Sequence, residues 1–289
     1  MRKKLDEKIT RSVLLIRKAY RHCRHRECRL ELAYSGGKDS DVLVELCKIG
    51  DVWGKEWLRP LYRNTTIDPS GTIKHCQEVG VEIRRPELSF RDCIVRSGFP
   101  SRFQRHCCGY LKEFAVEDYV LVGIRRTEST KRAERYKEPE ACRTYNGRGK
   151  CIQYYPLLDW TDEDVEEFVN ERNVRCHSLY YREDGSFDVG KRLGCIGCPL
   201  ASKTNRIADF RAHPKFVRFW CKAGKEFLDA HPNSKIHTYF ANVFEWFVCN
   251  LFYDTIDDFR QKFLGVGLFA NEVDSKTYLE GVFGVDLDF

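Results

Sequence analysis

The apolar residues of this chain follow two different periods, and the changes between them predict its elements. Residues 5–25 carry Ile9, Val13, Ile16 and Tyr20 on one helical stripe, which predicts an amphipathic helix. Short runs rich in branched and aromatic residues predict strands at 29–34, 58–63, 81–84, 119–124 and 152–158. Helical patterns lie between these runs. The sequence therefore predicts an α/β protein with an open, mostly parallel, doubly wound sheet.

The pattern becomes helical towards the end of the chain. Aromatic residues repeat at helical spacing within 216–227 and 239–253, and we expect them to pack in a core rather than bind a ligand. Upstream, Thr161 followed by Asp164 is a helix-capping signature. We predict an N-terminal helix at 1–28, a nucleotide-binding domain with a cysteine cluster at 29–200 and a helical C-terminal region at 201–289.

Composition and charge narrow the class of protein. No apolar run approaches the roughly 20 residues of a membrane helix, and the basic start lacks the apolar stretch of a signal peptide. We therefore expect a cytoplasmic protein, in which the 14 cysteines indicate metal or redox chemistry more than disulfides. The net charge of +6 suits an anionic ligand and permits nucleic acid. Basic residues cluster at 17–29, 125–137 and 191–192, although solvated surface is the simpler interpretation of each cluster.

An anion site is predicted where the first strand ends. Residues 35–40 read SGGKDS between a strand-like and a helix-like run. Two glycines let the backbone turn tightly and approach a ligand, and backbone N–H groups at the start of a helix attract phosphate. Lys38 adds a charge, Ser35 and Ser40 add hydroxyls, and Asp39 either caps the helix or helps to hold Mg²⁺. The Walker pattern is absent, and the alternative is an ordinary strand–helix turn.

This stretch resembles the PP-loop of the ATP-pyrophosphatase superfamily, in the version found in phosphoadenosine-phosphosulfate (PAPS) reductases. The resemblance implies an adenine nucleotide alpha-hydrolase-like fold that binds its nucleotide at the carboxyl ends of the strands. Residues 62–69 resemble an Asp-Thr-Gly segment, with Asn64 and Thr65 in place of Asp-Thr. Residues 122–133 resemble a Gly-x-Arg-Arg segment, and residues 177–199 resemble a segment that ends in a cysteine pair. The similarity covers about 29–201.

Arginine side chains in the second of these segments are candidate anion ligands. A guanidinium fork matches two oxygens of phosphate or sulfate at once, although a charged strand end at the surface is the alternative. The resemblance implies the nucleotide-binding residues Ser35, Gly36, Gly37, Lys38, Asp39, Ser40, Asn64, Thr65, Gly123 and Arg132. The candidate catalytic residues are Lys38, Asp39, Arg125 and Arg126.

Four cysteines have the spacing of a cluster site. Cys107 and Cys108 are adjacent, and Cys195 and Cys198 form a Cys-x2-Cys pair. This pattern is similar to that of adenylyl-sulfate reductases, which implies a [4Fe–4S] cluster; zinc and buried free thiols are the alternatives. Lys112 matches a basic position that follows the Cys-Cys pair and would compensate cluster charge.

The expected reductase nucleophile is missing from the end of the chain. The family uses a C-terminal cysteine motif, whereas this chain ends GVFGVDLDF, and Cys221 and Cys249 lie in aromatic helical runs that blunt a thiol. Relatives such as the DNA-phosphorothioation sulfurtransferase act instead on ATP with Mg²⁺, releasing pyrophosphate before sulfur displaces AMP. That branch implies a sulfur donor such as a cysteine desulfurase or thioredoxin, with nucleic acid as one acceptor. Three hypotheses follow: an ATP-dependent sulfur-transfer enzyme, a sulfonucleotide reductase with an atypical cysteine, and a non-catalytic binding module.

Overall fold

A computed structural model describes residues 2–114, 116–144, 149–265 and 274–289. The strands are β1 Leu30–Tyr34, β2 Leu58–Arg63, β3 Glu82–Arg84, β4 Tyr119–Val122, β5 Glu140–Thr144 and β6 Lys150–Tyr154. The helices are α1 Arg2–His25, α2 Lys38–Ile49, α3 Thr72–Val79, α4 Phe90–Ser97, α5 His106–Leu111, α6 Thr130–Arg135, α7 Asp162–Arg172, α8 Lys203–Ala212, α9 Lys215–Ala230, α10 Ile236–Tyr239, α11 Val243–Phe252, α12 Ile256–Phe259 and α13 Ser275–Phe283. Single turns of other helical types lie at Arg126–Glu128, Ser178–Tyr180 and Arg260–Leu264.

The strands form one open sheet in the order β3-β2-β1-β4-β6-β5. All neighbouring strands run parallel except β5, which runs antiparallel to β6. The predicted open, mostly parallel sheet with flanking helices is therefore confirmed. The chain order reverses between β1 and β4, and such a switch point is where open α/β sheets bind their ligands.

Strand β5 was not predicted from the sequence. It reads EACRT and lies at the edge of the sheet, with side chains that are half-buried or exposed. An edge strand with little apolar content lacks the pattern that identifies central strands.

The chain divides into two compact units that do not follow the chain order. Unit 1 contains residues 1–64, 69–85 and 113–194, and unit 2 contains residues 65–68, 86–112 and 195–289. Unit 1 holds the whole sheet and also α1. The predicted domain limits at residues 28 and 200 stay a prediction, since compactness alone does not test them.

Helix α1 packs firmly within unit 1. Its Leu5, Ile16 and Cys23 side chains are fully buried in the same apolar core as the sheet. Ser12 joins it to the loop before α7, donating to the Pro156 carbonyl at 2.6 Å and accepting from the Trp160 indole at 3.0 Å. The predicted amphipathic helix is thus present and belongs to the core of the α/β unit.

A buried ion pair links the neighbouring strands β1 and β2. Arg63 donates to both oxygens of Glu31 at 2.5 and 2.8 Å, and both side chains are almost fully buried. The Glu31 carboxylate also accepts from the Glu117 backbone N–H at 3.2 Å. Breaking such a pair from one side leaves an uncompensated buried charge.

Unit 2 is built from helices around an aromatic core. Trp220, Phe247 and Phe259 are fully buried, and the aromatic stripes predicted at 216–227 and 239–253 form the inward faces of α9 and α11. The predicted C-terminal helices are present, although residues 266–273 of that region lie outside the described residues. Among the helices the structure describes, none has the length and apolar content to cross a membrane.

The predicted start of α7 is confirmed. The Thr161 hydroxyl accepts from the Asp164 backbone N–H, and the Asp164 carboxylate accepts from the Thr161 N–H at 2.7 Å. Val165, Phe168 and Val169 form its buried face.

Candidate active site

The loop between β1 and α2 turns sharply on a left-handed glycine. Gly36 has φ of +78°, and a Cβ there would lie 3.1 Å from methyl carbons of Leu193 and Thr72. Only glycine adopts this conformation readily. The predicted role of the first glycine as a turn residue is therefore supported by both its backbone angle and its crowded surroundings.

The two serines of the loop brace its shape. Ser40 donates from Oγ to the Gly37 carbonyl at 2.6 Å, and its Oγ also lies 3.2 Å from Ser35 Oγ. Ser35 Oγ accepts from the Gly37 backbone N–H at 3.3 Å. Helix α2 begins at Lys38, and the first N–H groups of a helix have no partner inside it. The loop therefore presents backbone amides and the positive end of a helix at the carboxyl end of β1.

Lys38 is buried, which is uncommon for a lysine. Its ammonium donates to the Lys191 carbonyl at 3.4 Å, lies 3.7 Å from the Asp39 carboxylate and stands 5.4 Å from the centre of the Tyr180 ring. Burial lowers the pKa of Lys38 below its ordinary value, while Asp39 works against that shift. A desolvated ammonium interacts strongly with an anion that enters its site.

Arg125 fixes the acidic residue of the loop. It is almost fully buried, and it donates from Nε to Asp39 at 2.7 Å and from Nη2 to Asp162 at 2.7 Å. Its Nη1 is buried with no partner among the described residues. Asp39 therefore does not cap α2, whose N-cap Gly37 has no side-chain cap. Its carboxylate instead lies between the guanidinium and the ammonium of Lys38.

A small cavity opens at the carboxyl ends of β1 and β4, which is the switch point of the sheet. Its volume is about 200 Å³, below the roughly 300 to 1,000 Å³ of a whole small-molecule site. This volume suits the phosphate part of a nucleotide. The residues that line it include Ser35, Gly37, Lys38, Asp39, Ser40, Gly123, Glu128, Arg132, Tyr180, Arg192 and Leu193.

Two arginines reach the cavity and share one acidic partner. Arg132 is ion-paired to Glu128, and Arg192 Nη2 lies 3.5 Å from the other oxygen of the same carboxylate. The pKa of Arg132 is lowered, first by burial and then by the charge of Arg192. The cations around this cavity therefore repel one another, and a phosphate would relieve that repulsion.

Three functional candidates were missed from the sequence: Tyr180, Glu128 and Arg192, the last noted only as part of the basic cluster 191–192. Tyr180 stands against the loop: a Cβ on Gly37 would lie 3.1 Å from its hydroxyl oxygen, which accepts from the Leu193 backbone N–H at 3.0 Å. Glu128 lies in a stretch singled out only for its arginines. Tyr180 lies in the segment 177–199, which resembles the family, and this resemblance could have indicated a role for it. Within that segment only the cysteine pair was assigned a role from the sequence.

Some predicted residues do not line this cavity. Arg126 donates to the Lys137 carbonyl at 2.9 Å and pairs with Asp159 at 3.2 Å. Asn64 follows β2, where its N–H donates to the Arg84 carbonyl at 3.0 Å. Thr65 belongs to unit 2, where it lies beside a cysteine. Their predicted roles in catalysis or nucleotide binding stay predictions.

All four cysteines of the predicted cluster lie in unit 2. The pKa of Cys107 is raised, first by its side-chain hydrogen bond with Cys108, then by burial and by the charges of Cys108, Cys195 and Cys198. Cys195 Sγ lies 3.4 Å from Thr65 Oγ1 and 3.8 Å from Asp68 Oδ1. The four thiols thus share one electrostatic environment, although their side chains come from α5 and from a separate loop.

The Cys-x2-Cys loop is held by contacts that require a glycine. Gly197 has φ of +71°, and a Cβ there would lie 2.4 Å from the ring of Phe210. Arg206 is buried beneath the loop, donating from Nε to the Gly197 carbonyl at 3.2 Å and from Nη1 to the Asn250 carbonyl at 2.9 Å. Burial lowers the pKa of Arg206 to about 10, and Cys198 opposes that shift.

Lys112 lies in the field of the same thiols. Its pKa is raised, chiefly by Cys195 and further by Asp68, Cys108 and Cys198. This agrees with the predicted role of Lys112 as a compensating charge. Among the residues that the structure describes, however, no group of three or more His, Cys, Asp or Glu side chains is arranged as a metal site.

The comparison with known proteins decides the family. A family model described as the phosphoadenosine phosphosulfate reductase domain matches residues 29–201, most of the 289-residue chain. The chain belongs to the PAPS reductase family. The match begins after α1 and ends at the start of the C-terminal helices, as the sequence resemblance predicted.

Curated relatives carry three different names. The chain is 26% identical over 239 residues to the uncharacterized protein MJ0973 of Methanocaldococcus jannaschii, covering 78% of this chain and 54% of that protein. It is 26% identical over 132 residues to adenosine 5'-phosphosulfate reductase of Staphylococcus saprophyticus, covering 44% and 52%. It is 29% identical over 190 residues to sulfate adenylyltransferase subunit 2 of Shewanella pealeana, covering 53% and 60%. The chain therefore spans between half and three fifths of these relatives.

A solved PAPS reductase has a similar but loosely superimposed fold. The enzyme from Candida auris, crystallised as a phosphate complex, aligns with a TM-score of 0.42 at 15% identity, covering 62% of this chain and 87% of that one. Membership of the PAPS reductase family therefore depends on the family match over residues 29–201.

The remaining cysteines differ in exposure. Cys221 and Cys249 are buried, and burial raises the pKa of both, that of Cys249 to about 11. Cys142 is exposed on β5, whereas Cys151 on β6 is buried. None of the 14 cysteines forms a disulfide. The expectation that Cys221 and Cys249 are poor nucleophiles is consistent with this burial.

Proposed function

We propose that this member of the PAPS reductase family binds ATP at the loop 35–40 and transfers its adenylyl group to an acceptor oxygen, releasing pyrophosphate. The observation that carries the proposal is the cavity at the switch point of the sheet, where loop amides, Lys38, Arg132 and Arg192 converge. Such a set of donors suits a chain of phosphates. The names of the relatives, a sulfate adenylyltransferase subunit and an adenosine 5'-phosphosulfate reductase, support adenylyl chemistry.

The proposed adenylyl transfer is a displacement at phosphorus, so it changes no oxidation state and needs no oxidant. The acceptor oxygen attacks the α-phosphorus, the bond from that phosphorus to the bridging oxygen of the β-phosphate breaks, and the electron pair leaves with pyrophosphate. Lys38 and the loop amides stabilise the negative charge that develops on the phosphate oxygens. A persulfide sulfur from a donor such as a cysteine desulfurase then attacks the adenylated atom, and the bond to the AMP oxygen breaks with its electron pair leaving on AMP. A dithiol such as that of thioredoxin reduces the S–S bond that remains and releases the thiolated acceptor.

The cavity favours this step over reduction of a sulfonucleotide. A reductase needs a thiol that attacks the sulfur atom, and none of the residues lining the cavity is a cysteine. Cys221 and Cys249 are buried in the aromatic core of unit 2, with their pKa values raised by that burial. Reduction with a cysteine from elsewhere remains the second hypothesis, and the assay below distinguishes it.

We further propose that Cys107, Cys108, Cys195 and Cys198 hold a [4Fe–4S] cluster. The proposal is supported by the Cys-Cys and Cys-x2-Cys spacing and by the fact that all four cysteines and Lys112 belong to one compact unit. A bound cluster would supply either an iron site for sulfur or a rigid structural crosslink. Thiol ligation agrees with the proposed location in the reducing cytoplasm.

The residues of the loop support Mg²⁺ binding less than they support phosphate binding. Asp39, the predicted ligand, accepts from Arg125 at 2.7 Å and faces Lys38 at 3.7 Å. A carboxylate already flanked by two cations is a poor ligand for a third. We therefore assign Asp39 a positioning role through Arg125.

Pyrophosphate release tests the adenylyl-transfer proposal. Wild-type protein with ATP and either sulfate or a mixture of single-stranded nucleic acids should release pyrophosphate, and Lys38→Ala should abolish the release. Lys48→Ala is the matched control, because Lys48 lies exposed near the other end of α2. Sulfite production from PAPS or adenylyl sulfate with thioredoxin, without pyrophosphate release from ATP, would establish the reductase hypothesis instead.

Anaerobic purification tests the cluster. We expect about four irons and four sulfides per chain, with a broad visible absorption that Cys195→Ser and Cys198→Ser each remove. Colourless protein with stoichiometric zinc would refute the cluster and leave the nucleotide proposal unchanged, because the ATP loop belongs to unit 1.

A further inference from the structure

An aromatic side chain in unit 2 is held almost entirely in solvent. Phe103 is 98% exposed, whereas the other aromatic side chains among the described residues of unit 2 are at most 40% exposed. A single exposed apolar residue is common at protein surfaces, so a role for this ring depends on the residues beside it. The residues around this ring indicate which kind of ligand it would bind.

Phe103 stands at the tip of a defined turn. The Ser101 N–H donates to the Gln104 carbonyl at 3.1 Å, and the Gln104 N–H donates to Ser101 Oγ at 3.1 Å. Arg102 also anchors the turn, donating to the Pro199 and Leu200 carbonyls at 3.3 Å each. The exposed ring therefore projects from a hydrogen-bonded turn.

The turn is basic and leads directly to the first cysteine pair. Arg102 and Arg105 flank Phe103 and are both exposed, and residues 101–106 contain no acidic side chain. Helix α5, which carries Cys107 and Cys108, begins at His106. An exposed ring with arginines on both sides in sequence suits a single-stranded nucleic acid, because aromatic rings stack on unpaired bases and guanidinium groups contact phosphates.

A larger cavity lies beside this turn in the same unit. Its volume is about 600 Å³, within the range of small-molecule sites. Phe240, Trp246 and Tyr253 contribute aromatic walls. Arg102 contributes positive charge, whereas Lys203 is paired with Asp254 of the same lining at 2.8 Å. Pro199, which follows Cys198 directly, and residues 201–203 form another part of its lining. A ligand in this cavity would therefore lie near the proposed cluster.

We propose that the turn 101–104 and this cavity bind an unpaired nucleotide of a single-stranded nucleic acid. Phe103 stacks on the base, Arg102 and Arg105 contact the flanking phosphates, and the cavity accepts the neighbouring base. This deepens the proposed function by naming the class of acceptor. The binding itself involves only residues of unit 2 and needs no ATP.

The experiment measures binding by fluorescence anisotropy. Labelled 12-nucleotide single strands of RNA and of DNA are titrated with full-length protein, with a duplex of the same sequence and free AMP and CMP as competitors. We expect single strands to bind and the duplex to compete weakly. Phe103→Ala should weaken binding by about 5- to 150-fold, the usual range for one stacked base.

Three variants separate stacking from general effects. Phe103→Trp should restore binding because the ring remains. Phe289→Ala is the matched control, as it removes another exposed aromatic ring of unit 2 that does not line the cavity. Arg105→Gln should make the slope of log K against log salt shallower by about 0.7, the value for one phosphate contact on a single strand.

Several results would overturn this proposal. Equal binding by wild type and Phe103→Ala would refute the stacking role. Equal binding of duplex and single strand would show simple charge attraction, and binding of free mononucleotides alone would refute a nucleic-acid ligand. Lys38→Ala should bind the strand normally while losing ATP, whereas Phe103→Ala should bind ATP normally, so failure of one proposal is distinguishable from failure of the other.

Discussion

The left-handed glycine of the loop provides the sharpest test of how this protein binds phosphate. Gly36 has φ of +78° and Gly80, at the end of α3, has φ of +83°. Alanine at either position costs about 1–2 kcal/mol of backbone strain. The surroundings differ, because a Cβ on Gly80 meets nothing within 4 Å, whereas one on Gly36 lies 3.1 Å from Leu193 and from Thr72.

Gly36→Ala and Gly80→Ala are therefore matched in backbone strain, but only Gly36 lies in the predicted phosphate loop. If the Gly36 loop relaxes by turning one amide away from the phosphates, ATP loses a charge-assisted hydrogen bond of about 1.5–3 kcal/mol. Its dissociation constant should rise by about 10- to 150-fold. Gly80→Ala should keep the wild-type affinity while its melting temperature falls by about 2–8 °C.

The assay combines calorimetric titration with ATP and thermal unfolding of each variant. Unfolding shows whether Gly36→Ala remains folded, with a destabilisation at least as large as that of Gly80→Ala. The reasoning is refuted if a folded Gly36→Ala binds ATP as tightly as Gly80→Ala, since the loop would then not be the phosphate site.

Three further predictions address the ammonium, the cysteine loop and the buried ion pair. Burial lowers the pKa of Lys38 below its ordinary value of 10.5, so the ammonium loses its proton at a lower pH than an exposed lysine does. ATP affinity measured by calorimetry should therefore begin to decrease before the pH reaches 10.5. An affinity that stays constant up to pH 10.5 would contradict this. Gly197→Ala should abolish iron loading, because its Cβ would lie 2.4 Å from a buried ring, whereas Gly284→Ala, at φ of +60° in open space, should load normally; equal iron content would refute the argument. Glu31→Gln should reduce the free energy of unfolding by about 3–5 kcal/mol in urea titrations, and a loss below 1 kcal/mol would show that the charge is compensated elsewhere.

The central strands and the loop were predictable because local sequence determines them. The apolar run 30–34, the glycine pair and the amphipathic α2 form one continuous signal, and the structure follows it within a residue. The capping box at Thr161 is also local, involving residues three apart. Edge strand β5 was missed since its side chains are mostly polar and its pairing depends on β6.

The charged partners of the candidate site were not predictable in the same way. Arg125 reaches Asp39 and Asp162, which lie 86 and 37 residues away along the chain. No spacing rule predicts such pairs, because they depend on how strands and helices pack. The same holds for Thr65, which follows Asn64 in sequence but belongs to the other unit, beside Cys195.

The cysteine site was predictable from the sequence only in part. The spacing indicated a four-thiol set, and the structure places all four cysteines in unit 2, with Lys112 in their field. The residues that hold the second pair, Gly197 and Arg206, were not predicted. Arg206 acts through backbone carbonyls, and such contacts have no sequence signature.

A crystal structure of the protein with ATP and Mg²⁺ tests the central claim most directly. We predict density for the phosphates at the amides of Gly36, Gly37 and Lys38, with Lys38, Arg132 and Arg192 turned towards them. A nucleotide bound elsewhere, with the loop unchanged and empty, would contradict the account.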